Sequence, residues 1–303
     1  MNNMKIDKQN GNVAFNDDSH IYWDTATNDK FISVTTLIEK FAQPFDKNFW
    51  SGYKALEKLI PADAWKIEKK SLLNTHKIPK ELLNTYDIKE LDFNKAQQDI
   101  LDEWDKTNRE SCERGTKIHA ELENSMYKMG ANVTLKKFGV GGKFVCDKGR
   151  TALDLENGVY PEYLTSRVSP DGILRIAGQI DLLVKQGNEI TIMDWKTNKE
   201  IKQHSGFNTQ TRSSVKMLYP LNTLEDCNYW HYCLQLSTYA WMLQKINPEY
   251  VIKDLILVHF DHNDNKTVYH LPYLKKEVEA MLKFYKKSIF KQEKLAKLKR
   301  IEY

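Results

Sequence analysis

Two aspartates and a lysine, Asp181, Asp194 and Lys196, stand in two short apolar runs at a spacing that makes them converge. The runs, residues 179–185 and 189–195, are rich in Ile, Leu, Val and Thr, which suits strands. Gly187-Asn188 between them is a two-residue hairpin signal, because both residues tolerate positive φ. With that turn Gln186 faces Glu189, and counting outward sets Asp181 directly opposite Asp194. Directly opposed residues share a face, with Cβ atoms about 4.5–5.5 Å apart. Lys196, two residues past Asp194, returns to that face. Two carboxylates this close repel unless a cation sits between them. Hard oxygen ligands suit Mg2+ or Mn2+, and an ammonium beside them can meet a phosphate. A surface hairpin of solvated charges is disfavoured, because Ile180, Leu182, Val184, Met193 and Trp195 make the opposite face apolar and Leu183 and Ile192 add apolar groups to the site face.

Other residues can join this group. His119 and Glu123 lie one helical turn apart, so a neutral imidazole can ligate a metal while Glu123 or another acceptor fixes its tautomer. Gln235 and Tyr239 form a polar i, i+4 pair on an otherwise apolar helix and can bond a phosphate or orient the lysine. Glu162, just before a strand, can add a carboxylate. Residues 201–224 contain no acid but carry Lys202, His204, Arg212 and Lys216 with Phe207 and Tyr219 among them, a mixture that suits a phosphate backbone and unstacked bases.

The 303 residues suffice for one large α/β domain or two modest ones. Hydrophobic content of 41% and charged content of 28% mark a globular chain. No apolar run approaches the ~18 residues of a membrane span, and no signal-like core follows Met1, so the expected location is the cytoplasm. The net charge of +4 is uneven: residues 271–303 carry +6 and residues 1–270 carry −2. Cys112, Cys146, Cys227 and Cys233 form no CxxC pair and read as free thiols.

The elements that must position these groups follow from pattern. Residues 12–35 read as a small β element, and Thr36-Leu37-Ile38-Glu39 as a capping box opening a short helix. Residues 46–95 read as broken helices punctuated by Pro61 and Pro79. A helix is expected over 94–108, and a second from Thr116, as N-cap, through Met126. A helix is also expected over 144–155. Strands are expected at 163–168, 173–176, 254–260 and 267–271, with a helix over 230–243 and a basic helix from about 274 onward. The division expected is an N-terminal β element and short helix over 1–45, a helical lobe over 46–110 and a core over 111–303.

Gly115-Thr116…His119…Glu123, Glu162, Gly178-x-Ile180-Asp181, Asp194-Trp195-Lys196-Thr197 and Gln235-x-x-x-Tyr239 together resemble the PD-(D/E)XK nuclease superfamily. The likeness is to its RecB-like branch, and to phage exonucleases of the lambda type. It spans about 115–245, and His20-x-Tyr22 with Ser33-Val34-Thr35-Thr36 also resembles the start of phage members. The resemblance implies an α/β, restriction-endonuclease-like fold: a mixed central sheet flanked by helices, here with an N-terminal β element and an inserted helical lobe. It implies hydrolysis of DNA phosphodiesters with one or two Mg2+ or Mn2+ ions. By that similarity His119, Asp181, Asp194 and the backbone carbonyl of Trp195 hold the metal, with Glu162 as a further carboxylate. Lys196 is then catalytic, with Asp181 and Asp194, while Gln235 and Tyr239 support the site and the DNA. Ile180 stands where the superfamily name has proline, as is usual in the RecB-like branch. No cysteine follows Tyr239, so no iron–sulfur cluster is expected. Lys196 can orient or deprotonate the attacking water, or stabilise charge on the phosphorane-like transition state. The alternatives are a non-catalytic DNA-binding recombination accessory protein, an endonuclease of the same fold, and an unrelated α/β protein with a structural ion pair. A single-strand annealing protein, or another recombination or replication protein, is a conceivable partner.

Overall fold

The computed structural model describes residues 6, 8–146, 155–208 and 213–301, with side chains at 207–208 and 293–301 left aside. Two compact units emerge. One comprises Met1–Ala42, Lys117–Ser205 and Lys216–Tyr303, and the other Gln43–Thr116 and Gly206–Val215.

The larger unit is built on a mixed nine-stranded sheet. Its strands are β1 (Lys8–Asn10), β2 (Val13–Asn16), β3 (Ile21–Asp24), β4 (Lys30–Ser33), β7 (Gly158–Val168), β8 (Arg175–Gln186), β9 (Glu189–Lys196), β12 (Val251–Phe260) and β13 (Lys266–His270). Two short pieces, β5 (Val133–Thr134) and β6 (Lys143–Phe144), pair separately. The pairings of β4 with β8 and of β9 with β12 are parallel; the other pairings in the large sheet are antiparallel. The N-terminal strands, expected as a separate element, thus continue the central sheet. Helices α1 (Val34–Glu39), α6 (Asn228–Ile246) and α7 (Lys275–Ile301) accompany it. Side chains of α1, α6 and α7 pack with Ile176, Ile180, Leu183 and Ile192 in one core. A second core joins Leu182, Val184, Met193 and Trp195 to Met126, Val133, Leu135 and Phe138. No described helix is long and apolar enough to cross a membrane.

The central hairpin has the counted register: Gln186 pairs with Glu189, and the ladder runs to Leu182 opposite Met193. Gly187 takes a positive φ of 61°, which its lack of a Cβ permits. The facing of the side chains differs from simple alternation. Ile180 packs with Leu183 and Ile192, whereas Leu182 lies in the other core. Opposite this switch stands Glu162, itself at φ 53° in mid-strand, and the Glu162–Asp181 position is missing from an otherwise continuous ladder. A left-handed residue turns the pleat locally, which alternation alone does not anticipate.

The edges of β8 explain where the site opens. β7 pairs along one edge from Gly158–Lys185 to Val168–Arg175, with the Glu162–Asp181 position missing. On the other, β9 pairs with 182–186 and β4 with Ile176 and Ala177. Between them, from Gly178 to Asp181, that edge carries no ladder partner, and the sheet splits.

In the smaller unit, α2 (Lys47–Leu59), α3 (Ala62–Thr75), α4 (Lys80–Thr85) and the first part of α5 (Glu90–Lys128) surround Phe49, Tyr53, Leu56, Trp65 and Leu72. Pro61 and Pro79 stand at the N-caps of α3 and α4, as punctuation predicts. The strands β10 (Phe207–Asn208) and β11 (Ser213–Ser214) complete this unit.

Four expectations are corrected. The helices expected at 94–108 and 116–126 are one, α5, of 39 residues. Gly115 weakens a helix by only ~1 kcal/mol, and Thr116, rather than capping, donates its hydroxyl to the Cys112 carbonyl. The first short helix begins at Val34, capped by Ser33, whose Oγ accepts the Thr36 N–H. The segment 173–176 is not a strand of its own, because β8 starts at Arg175 and runs through Gly178. Of the helix expected over 144–155, Phe144 lies in β6 and 147–154 fall outside the described residues.

Candidate metal and phosphate site

Glu162 on β7, Asp181 on β8 and Asp194 on β9 form a row across three adjacent strands. Glu162 and Asp181 occupy facing positions between the pairs Pro161–Leu182 and Tyr163–Ile180. Asp181 and Asp194 come immediately after the last β8–β9 pair. There the ladder ends because a side chain takes over: Asp181 Oδ2 accepts the Trp195 N–H at 2.7 Å.

His119, on the part of α5 belonging to the larger unit, reaches this row. Its Nδ1 lies 3.6 Å from Asp181 Oδ2 and 4.0 Å from Glu162 Oε1. Its Nε2 lies 3.1 Å from the Trp195 carbonyl oxygen. One ligand atom each from His119, Glu162 and Asp181 falls within 4.8 Å of the others. Glu123 turns to Tyr127 instead, so the second partner of the imidazole is the Trp195 carbonyl.

Asp194 is the most enclosed acid of the row, at 1% exposure. Its Oδ1 accepts Gln235 Nε2 at 3.1 Å, and the same Nε2 lies 3.3 Å from the Tyr239 hydroxyl oxygen. The Tyr239 ring fills the space beside Gly178: a Cβ there would stand 2.5 Å from Tyr239 Cε1. The glycine of the Gly178-x-Ile180-Asp181 run therefore admits the ring that steadies Gln235. Lys196 Nζ pairs with Asp194 Oδ2 at 2.6 Å, off the direction of a hydrogen bond. Tyr232 lies under the same ammonium, 5.0 Å from its ring centroid, and donates its hydroxyl to Asn198 Oδ1 at 2.7 Å. The buried His259, beside Lys196 in the β9–β12 ladder, lies with Nε2 2.7 Å from the Asn198 carbonyl oxygen.

The electrostatics follow from burial and crowding. Burial, then Asp194, pushes the Asp181 carboxyl well above its ordinary range, against the pull of Lys196 and the Trp195 amide. Burial and Asp181 raise Glu162 to about 7, against Lys8 and His119. Burial disfavours the charge on Lys196, but Asp194 and Asp181 outweigh it and hold the ammonium protonated. Burial keeps Tyr239 and Tyr22 as neutral phenols. Acids forced together at this cost, with an imidazole among them, fit a divalent cation.

The basic segment is partly neutralised from just outside its bounds. Lys202 pairs with Glu200 at 3.2 Å, and Glu225 meets Lys216 at 3.8 Å and His204 at 3.6 Å. Arg212 lies outside the described residues. Sequence reasoning missed Lys8, Tyr232 and His259, none of which stands at a spacing linking it to the acids.

A model of the PD-(D/E)XK nuclease superfamily matches residues 88–300, a span that includes every residue of the acid row, His119, Lys196, Gln235 and Tyr239. No curated protein matches the chain. Among solved structures, SSO0001 is 13% identical, with 82% of this chain and 79% of that chain covered and a TM-score of 0.30. A candidate exonuclease from Eubacterium rectale is 14% identical, with 82% and 85% covered and a TM-score of 0.33.

Proposed function

Because this chain belongs to the PD-(D/E)XK nuclease superfamily, we propose that it is a Mg2+- or Mn2+-dependent deoxyribonuclease, an exonuclease of the RecB-like, lambda type serving phage-type DNA recombination, repair or processing. The observation that carries this reading is the row Glu162–Asp181–Asp194, with His119 over it and a half-buried lysine at its end. His119, Glu162 and Asp181, with the Trp195 carbonyl and Asp194 adjoining, would hold a divalent cation, which would supply Lewis-acid polarisation of the phosphoryl group and an acidified water.

The chain's own residues do the rest. Lys196, kept protonated by its two acidic neighbours, donates to a phosphate oxygen and stabilises the negative charge that grows there. Gln235, braced by Tyr239, holds Asp194 and through it the lysine. The Tyr232 ring, its hydroxyl held by Asn198, lies against the ammonium. Lys202, Arg212 and Lys216 guide the strand, with salt-sensitive affinity. Attack in line leaves a 5′-phosphate. A single-strand annealing protein is the partner class this activity would serve, in the host cytoplasm.

The test is cleavage of linear double-stranded, circular and single-stranded DNA with Mg2+, Mn2+ or EDTA, beside Lys196→Ala. Loss of linear but not circular DNA, dependent on metal and on Lys196, is the expected result. Cutting of circles would make the protein an endonuclease, and salt-sensitive binding without cleavage would make it a non-catalytic accessory protein.

A further inference from the structure

The N-terminal strand brings a second lysine to the acid row. Lys8 Nζ lies 3.2 Å from Glu162 Oε2. Two residues on, Asn10 Nδ2 donates to the Leu164 carbonyl. Alternate residues of a strand share a face, and Glu162 and Leu164 are likewise two residues apart. β1 therefore clasps β7 at two points, across 154 residues of sequence at each. The clasp closes on a residue held at φ 53°, a conformation that costs a glutamate energy unless its surroundings enforce it. The row now reads Lys8, Glu162, Asp181, Asp194, Lys196: three acids between two ammoniums. Lys8 lies outside the residues matched by the superfamily model.

We propose that Lys8 is a positioning residue and the resident counter-ion of Glu162. It aims that carboxylate at His119 and Asp181, and its charge sets how tightly the cluster holds a divalent cation. The inference rests on the cation-binding reading above. Two effects oppose each other. The clasp pre-orders one ligand, which favours the cation. The ammonium, one carboxylate away, repels it. At a few ångströms in a site this enclosed, repulsion between an ammonium and a dication exceeds the gain from ordering one carboxylate. Lys8 thus keeps the metal-free cluster together and holds the cation loosely.

The experiment is Mn2+ binding to the full chain, without DNA, by calorimetry at fixed pH and ionic strength. Lys8→Met is expected to bind Mn2+ about tenfold tighter than the parent, with Lys8→Arg close to the parent. Asn10→Ala, which loosens the clasp but leaves the charge, is expected to bind no tighter. If Lys8→Met does not fold by circular dichroism, Lys8→Gln carries the same comparison. Unchanged or weaker Mn2+ binding on loss of the Lys8 charge overturns the inference, as does failure of Lys8→Arg to restore the parent value. Glu162→Gln separates the two readings. If it weakens Mn2+ binding while Lys8→Met changes nothing, only the role of Lys8 falls. If the parent binds no Mn2+, or Glu162→Gln binds as the parent does, the cation site itself falls and Lys8 with it.

Discussion

Gly178→Ala probes the site without touching a charged group. The added Cβ would lie 2.5 Å from Tyr239 Cε1, 3.1 Å from its hydroxyl oxygen and 3.2 Å from Cζ. Carbon atoms in contact sit at about 3.5–4.0 Å, so the ring must retreat by roughly 1 Å. It has little room, being buried in the core formed with Leu236 and Ala240. Overpacking of this kind costs about 1–3 kcal/mol, which lowers Tm by roughly 3–8 °C in a domain of this size. The larger effect should fall on catalysis. Tyr239 braces Gln235, Gln235 holds Asp194, and Asp194 pairs with Lys196. A misplacement near 1 Å at a reacting centre costs about 100-fold. Thermal melts and single-turnover cleavage of linear DNA give the two numbers. Tyr239→Leu in the same chain removes the clashing ring edge, so the double variant should melt at or above Gly178→Ala rather than at the sum of the two losses. A Gly178→Ala protein with parental Tm and a rate within twofold would refute the wedge argument.

Further outcomes are expected. Lys196→Met should remain folded by circular dichroism while cleavage falls about 100-fold or more; an active variant removes the lysine from the chemistry. Gln235→Leu strips Asp194 Oδ1 of its partner and should cost about 1.5–3 kcal/mol in urea unfolding, with no loss pointing to a replacement donor. In chelator-treated protein, Glu162 is held at about 7 instead of its ordinary 4.5 by burial and Asp181. Its stability contribution is therefore present below pH 4.5 and lost as pH rises through 7, a fall of about 3 kcal/mol. Melting curves from pH 4.5 to 8 should show that fall, and Glu162→Gln should make it shallower, the remainder belonging to the raised Asp181 carboxyl; a slope unchanged by the substitution assigns it to other groups.

The hairpin was legible because a two-residue turn sets register by counting, and Gly187-Asn188 allows little else. Asp181, Asp194 and Lys196 follow from that register, whereas Glu162 comes from β7. Lys8 was not legible, since it reaches Glu162 through strand association across 154 residues of sequence, which no local pattern encodes. Ile180 was assigned to the wrong core because alternation presumes a regular pleat, and the left-handed Glu162 breaks it. Gly115 read as a boundary because a glycine's cost is visible in sequence, whereas the 39-residue helix around it is not. The acid-free stretch 201–224 overstated its free charge because Glu200 and Glu225 stand one residue beyond each end.

The three acids come from consecutive antiparallel strands, so their alignment is a matter of chain length rather than of side-chain chemistry. Adding one residue to the Gly187-Asn188 turn would shift β9 by one step and swing Asp194 and Lys196 to the far side of the sheet, with every acid still present. Inserting tags or linkers in this protein should therefore spare 187–188, where backbone pairing would transmit the shift directly to the acids.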